Sequence, residues 1–84
     1  MYYQQGDVLI EVVDKMPENC VKLDHLTLRS GEVTGHTHRV TRGLAELFET
    51  GDTKYLKVVS GSAGVTHEEH SQIILPAGIY KITP

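Results

Sequence analysis

The sequence has almost no cysteine and no long apolar segment. Cys20 is the single cysteine among 84 residues, which excludes an internal disulfide and a cysteine-based zinc motif and suggests a reducing compartment. A chain this short buries a modest share of its surface and needs other support, for which a bound metal or a partner subunit remain. No window approaches the roughly 20 apolar residues of a membrane span. The opening MYYQQGDVLI has no basic segment and no long apolar run, so we expect no secretion signal, no membrane partner and a cytoplasmic protein.

Neither sign of charge dominates the chain. Eight Lys and Arg residues stand against eleven Asp and Glu residues, for a net charge of −3. The basic residues are scattered apart from Arg39 and Arg42, so nothing in the balance draws the whole protein to nucleic acid. We therefore do not expect a nucleic-acid partner, although this pair could make a local basic contact. With no low-complexity segment, the chain is predicted to be one domain over residues 1–84.

Short runs with β-type composition, separated by turn residues, follow one another along the whole chain. We predict about seven short strands, within GDVLIEVV, HLTLRS, EVTGHTHRV, LAELFE, KYLKVV and the segments on either side of PAG at 76–78. Turns or loops are predicted at 6–7, 14–23, 50–53, 60–64 and 76–78. No helix of useful length is required. This spacing predicts an all-β fold, either a small barrel or a sandwich.

Four of the five histidines lie in two short clusters. TGHTHRV carries His36 and His38, and THEEH carries His67 and His70. Residues i and i+2 of a strand share a face about 6.5–7 Å apart, so His36 and His38 project together while Thr37 points the other way. The second pair, three residues apart, shares a face only if the chain turns after His67. We predict that the two clusters form one shared site.

Imidazole groups in this number suit a divalent transition metal. Histidine nitrogen binds Zn²⁺ at about 2.0–2.1 Å and also serves Fe, Mn or Ni, so the sequence does not select the ion. The predicted ligands are His36, His38, His67 and His70, with His67 the better placed of its pair. Glu68 and Glu69 are the predicted catalytic residues, because a carboxylate beside such a site can complete the shell, orient an imidazole or act as a general base. If the site is catalytic, the metal would activate water or a small-molecule substrate.

Two other hypotheses remain open. Histidine titrates near neutral pH, so one from each cluster could act as base and acid in metal-independent cleavage of a phosphodiester, with Arg39 or Arg42 steadying the phosphate. Alternatively, the chain is a non-enzymatic accessory of a phage or mobile element that binds a host protein. For the metal-binding hypothesis we also expect a homodimer, because a second copy commonly covers open β-edges.

The motifs resemble the cupin pattern in part. Cupins are small β-barrels whose first motif has a glycine, then H-x-H, then a glutamate, and whose second motif has P-x-G and a further histidine. Here GEVTGHTH supplies the glycine and the H-x-H, and LPAG supplies Pro76 and Gly78. Glu46 lies farther from His38 than the usual spacing, and the second histidine cluster precedes LPAG. The resemblance implies a β-barrel with histidine ligands.

From 6 to 80, the chain also resembles a family of short, uncharacterised bacterial and phage proteins. These show a GDVL start, a GEVTGH-x-HRV centre and an HEEH…LPAG-x-Y end, all of which are present here. The resemblance implies that the residues of both clusters belong to the signature of the family, namely His36, His38, His67, Glu68, Glu69 and His70. It implies no particular activity.

Overall fold

The structure, a computed structural model, describes residues 1–30 and 36–84. Its strands are β1 (Tyr2–Gln5), β2 (Val8–Val13), β3 (Val21–Lys22), β4 (Thr27–Ser30), β5 (Thr37–Thr50), β6 (Thr53–Thr66) and β7 (Ile73–Thr83). The predicted all-β fold is confirmed. In these residues no helix reaches the length and apolarity that a membrane crossing requires.

The strands form one antiparallel sheet. Its order is β1-β2-β7-β6-β5, and both β3 and β4 pair with the remaining edge of β5. The two-residue β3 lies beside the end of β5, at Phe48 and Glu49, whereas β4 lies beside its beginning, at residues 37–39. The last strand, β7, is inserted between β2 and β6, which makes the centre of the sheet depend on pairing between distant parts of the chain.

The sheet is curved around its own core. Arg29 of β4 forms an ion pair of 2.9 Å with Asp7 in the β1–β2 turn, although these elements stand at opposite ends of the strand order. Alternating residues of the strands fill the concave side, as the period of two requires. The most completely buried apolar side chains are Val8, Ile10, Leu28, Leu47, Leu56, Leu75 and Val65.

Two of the predicted turns are wrong. Residues 60–64 lie inside β6 and residues 76–78 lie inside β7. The β6–β7 ladder shifts register between Val58 and Ser62 and then continues with the same partner. Gly61, at φ +62°, and Pro76 thus belong to a bulged region that bends the strands without reversing them. Both flanks of each segment pair with the same neighbouring strand, and this long-range pairing overrides the local turn signal.

Other local predictions are confirmed. The chain turns at 6–7, and a tight hairpin at 50–53 joins β5 to β6, with Thr50 paired to Thr53. The segment LAELFET is part of β5, as predicted. The predicted strand HLTLRS is shortened to Thr27–Ser30, β1 was not predicted, and the two-residue β3 lies inside the segment 14–23 that was predicted as a loop. Most of the predicted extended segment before the first histidine cluster, residues 31–35, lies outside the described residues.

Candidate functional site

The β5–β6 hairpin brings the two histidine clusters together. Each strand is 14 residues long, so the beginning of β5 lies beside the end of β6, where Arg39 pairs with Thr66. One step further along this register, His38 faces His67, and their ring centroids are 4.3 Å apart. His36 precedes β5 directly, with its ring centroid 5.7 Å from that of His67.

His70 joins the same group because the chain bends immediately after His67. Its ring centroid lies 4.7 Å from that of His67 and 6.3 Å from that of His38. Two imidazoles bound to one ion at about 2.0–2.1 Å have centroids roughly 4.5–6 Å apart. The separations of His67 from His36 and from His70 fall in this range, and the two that involve His38 lie just outside it. With the side chains of residues 1–30 and 36–84 in their present conformations, no group of three or more His, Cys, Asp or Glu residues is arranged to hold a metal ion.

His38 is held by a buried glutamine. Its Nδ1 lies 2.8 Å from Oε1 of Gln5, and both side chains are almost completely buried. The Gln5 amide nitrogen donates to the carbonyl oxygens of Val65, at 3.0 Å, and Ser71, at 2.9 Å. An amide has one acceptor oxygen and one NH₂ group, so Nδ1 of His38 must carry the proton. Nε2 then keeps the free lone pair.

His36 also has an oxygen atom beside its Nδ1. This nitrogen lies 3.2 Å from Oε1 of Glu69, at ion-pair distance. Because a carboxylate offers only acceptor atoms, the contact favours a proton on Nδ1 of His36, and Nε2 of the neutral ring would then have the lone pair. This pairing of Nδ1 with an oxygen is the usual outer-shell arrangement of a metal-binding histidine.

His67 has the opposite arrangement. The backbone N–H of Glu69 donates to its Nδ1 at 3.0 Å, so Nδ1 is unprotonated and the neutral ring carries its proton on Nε2. Neither nitrogen then offers a lone pair to an ion. To become a ligand, His67 must give up the hydrogen bond from Glu69.

Glu68 connects the two clusters through the backbone. Its Oε1 accepts the N–H of Thr37 at 2.8 Å, within the H-x-H motif. This hydrogen bond is the main cause that lowers the pKa of Glu68, followed by one from the Glu68 backbone. The carboxylate is therefore a weaker base than that of an ordinary glutamate. The catalytic roles of Glu68 and Glu69 stay predictions.

Burial lowers the pKa of His38, and the neighbouring charge of His67 lowers it further, while Asp7 opposes both. The protonated ring loses hydration when it is buried, which favours the neutral form. Neutral imidazole is the form that binds a metal or accepts a proton.

The β1–β2 turn is the third segment that contributes to the site, beside the two histidine clusters. Oδ1 of Asp7 lies 3.7 Å from Nε2 of His38. A Cβ atom on Gly6 would lie 2.6 Å from Nε2 of His70, so the missing side chain makes room for that imidazole. The part that residues 5–7 play in the site was not predicted from the sequence. The available signal for Gln5 was its position two residues after Tyr3, which places its side chain on the inward face of β1. A polar group buried there requires hydrogen-bond partners.

The remaining candidate residues are placed elsewhere. His25 precedes β4, where its Nδ1 accepts the N–H of Thr27 at 3.2 Å. Arg39 and Arg42 are exposed on β5. Arg39 alternates with His38 along the strand and is on the other face, as the period of two predicts.

Comparison with curated proteins and with solved structures finds no significant match of either kind. One family model matches residues 4–84, a range that contains both histidine clusters and the β1–β2 turn. The chain therefore belongs to the family described as "Domain of unknown function (DUF8820)".

Proposed function

We propose that the chain binds one divalent transition-metal ion at the histidine clusters, with Nε2 of His36 and Nε2 of His38 as the first two ligands. One observation carries the proposal: Nδ1 of each ring faces an oxygen acceptor, Glu69 Oε1 in one case and Gln5 Oε1 in the other. An oxygen acceptor beside Nδ1 favours the tautomer with the proton on Nδ1 and raises the basicity of Nε2. The lowered pKa of His38 supports the same role, because the ring is neutral without having to lose a proton to the ion.

The remaining ligands of the proposed site come from the second histidine cluster and from the β1–β2 turn. His70 lies within reach of both His38 and His67. Asp7 adds an oxygen, since its 3.7 Å separation from Nε2 of His38 is close to the roughly 3.3–3.5 Å between two ligand atoms of one tetrahedral ion. His67 joins after it releases the Glu69 N–H. The proposal therefore requires side-chain rotations that bring these ligand atoms onto the ion.

A nitrogen-rich shell of this kind suits Zn, Fe, Mn or Ni. With one coordination position left to water, the ion would lower the pKa of that water and supply a nucleophile, and Glu69 would orient His36. The resemblance to cupins supports this use of an H-x-H motif in a curved antiparallel sheet. A bound ion, or a second copy covering the open β-edges, would also support a chain too small to bury a large core.

The test is metal binding by protein purified without a histidine tag and stripped with chelator. Titration calorimetry and elemental analysis with Zn²⁺, Ni²⁺, Mn²⁺ and Fe²⁺ should show about one ion bound per chain for at least one of them. The double substitution His36→Ala and His38→Ala should abolish binding. His25→Ala is the matched control and should bind as the unsubstituted chain does. Substoichiometric metal, or equal binding by the double variant, would overturn the proposal.

A second candidate function is favoured by the opposite tautomers of the facing rings. Nε2 of His38 is a free base, and Nε2 of His67 carries a proton, with the ring centroids 4.3 Å apart. To act as the general acid beside this base in cleavage of a phosphodiester, His67 would also have to take up a proton on Nδ1, which requires loss of the hydrogen bond from the Glu69 N–H. This function predicts cleavage of RNA that persists in excess EDTA and is lost in His38→Ala. Cleavage abolished by EDTA would instead point to the metal site.

A further inference from the structure

Gln5 is a buried polar residue that contacts His38 of the first histidine cluster and the two residues that flank the second. It is the last residue of β1, pairs with Val8 of β2, and is only 2% exposed. Burial of an amide is unfavourable unless its polar atoms are hydrogen-bonded. In Gln5 the oxygen and the nitrogen both have partners, and those partners lie around the histidine clusters.

The three contacts allow one orientation of the amide. Nε2 faces the carbonyl oxygens of Val65 and Ser71, and carbonyl oxygens only accept hydrogen bonds. A flipped amide would set Oε1 against both of them and lose two hydrogen bonds. The oxygen is therefore directed at Nδ1 of His38, and the assignment follows from the surrounding acceptors.

The same amide also holds the second cluster. Val65 stands immediately before the segment THEEH, residues 66–70, and Ser71 stands immediately after it. Two hydrogen bonds from one NH₂ group thus tie together the two ends of the segment that carries His67 and His70. The third bond, from His38 to Oε1, attaches the first cluster to the same point.

We propose that Gln5 is the positioning residue of the site: it fixes the proton of His38 on Nδ1, presents Nε2 to the ion, and keeps segment 66–70 in place against the H-x-H strand. The part that concerns the ion rests on the proposed metal binding. The tautomer and the tie between the clusters do not, since both are properties of the metal-free chain.

Glutamine is suited to this role because it both donates and accepts. A glutamate of the same length offers no donor to the carbonyls of Val65 and Ser71 when it is ionised. A methionine of similar length has no strong donor or acceptor. Gln5→Met therefore removes all three hydrogen bonds while keeping the volume nearly constant. Gln4→Met is the matched control, because the neighbouring Gln4 is exposed and makes a single local hydrogen bond, to the carbonyl of Gly6.

The experiment is a long-range ¹H–¹⁵N correlation spectrum of the histidine rings in metal-free protein, at a pH well above the ordinary histidine value of about 6.5. The unsubstituted chain and Gln4→Met should show His38 protonated on Nδ1. Gln5→Met should move His38 toward the Nε2-protonated form, and its affinity for Zn²⁺ should fall about 10- to 100-fold. Amide exchange in segment 66–70 should accelerate in Gln5→Met alone.

The outcomes separate the two proposals. A proton on Nε2 of His38 in the unsubstituted chain, or the same tautomer in Gln5→Met, would overturn the role of Gln5 whatever the metal does. Absence of Zn²⁺ binding with the tautomer as proposed would overturn the metal site and leave the positioning role standing. If Gln5→Met does not fold, the spectrum of the unsubstituted chain decides the tautomer alone.

Discussion

The backbone N–H of Glu69 donates a 3.0 Å hydrogen bond to Nδ1 of His67, which puts His67 in the opposite tautomer to His38. The two rings face each other across the β5–β6 hairpin. Coordination by His67 through Nδ1 would use the lone pair that accepts this bond, and coordination through Nε2 would shift the proton onto Nδ1. Either way, binding of an ion by His67 and this hydrogen bond exclude each other.

Zinc binding should therefore expose the amide of Glu69. On addition of Zn²⁺ to metal-free protein, we expect its hydrogen exchange to accelerate and the ring nitrogens of His67 to shift in a ¹⁵N spectrum. The ring-nitrogen signals of His36 and His38 should shift in the same spectrum, whereas those of His25 should not. A Glu69 amide that stays protected in zinc-saturated protein would remove His67 from the ligand set and leave its neighbours to complete it.

Substitution of Gly6 by alanine should damage the site as well as the fold. Gly6 has φ +59°, and a Cβ there would lie 2.6 Å from Nε2 of His70, whose exposed side chain would have to move. Gly51, in the hairpin turn, has the same φ but no atom within 4 Å of its Cβ position. Both Gly→Ala changes should cost about 1–2 kcal/mol for the left-handed backbone, and Gly6→Ala should cost more and weaken metal binding.

The comparison is made by chemical denaturation and by Zn²⁺ titration of both variants. Adding His70→Ala to each should bring the two stabilities closer, because the clash at Gly6 is then removed. Equal loss of stability for Gly6→Ala and Gly51→Ala would show that His70 adjusts to a Cβ without cost.

The stability of the metal-free chain should fall as the pH is lowered through the ordinary histidine range. The pKa of His38 is below the ordinary histidine value of 6.5 in the folded chain, mainly because of burial. Between the two values the unfolded chain binds the proton and the folded chain does not, so protonation favours unfolding. The contribution is fully present above 6.5, is lost as the pH falls, and stops changing below the folded pKa.

This is measured from urea midpoints in EDTA at a series of pH values. His38→Gln should flatten the decline between neutral and mildly acidic pH, whereas His25→Gln should leave it unchanged. An identical pH dependence in His38→Gln would assign the decline to other groups.

Tyr80 should contribute a hydrogen bond that stabilises the bulged part of β7. Its ring is 2% exposed, and its hydroxyl donates to the carbonyl oxygen of Pro76. Burial raises the pKa of this hydroxyl, so it remains protonated and able to donate. Tyr80→Phe should lower the free energy of unfolding by about 0.5–1.5 kcal/mol.

The matched control is Tyr2→Phe, at a residue that is 61% exposed, with an expected change within about 0.5 kcal/mol. Both values come from chemical denaturation. Equal stability of Tyr80→Phe and the unsubstituted chain would mean that water replaces the buried hydrogen bond at no cost.

Local pattern was sufficient for several features. Alternation and β-type composition predicted the all-β fold, and the glycine–aspartate pairs predicted the turns at 6–7 and 50–53. The period of two placed Arg39 on the opposite face from His38. These features depend on residues close in sequence, where backbone geometry leaves few alternatives.

By itself, the sequence determined the β class, the tight turns at 6–7 and 50–53, and the presence of two histidine clusters suited to one site. The tertiary structure decided what depends on distant partners. The turn residues at 60–64 and 76–78 became bulges because the flanking segments pair with the same strands. Gln5 became part of the site because the curved sheet brings β1 to the end of β6. The hydrogen-bond partners of His38 and His67 then decided the tautomers of these two rings, since a histidine exposes one nitrogen or the other according to what its second nitrogen contacts.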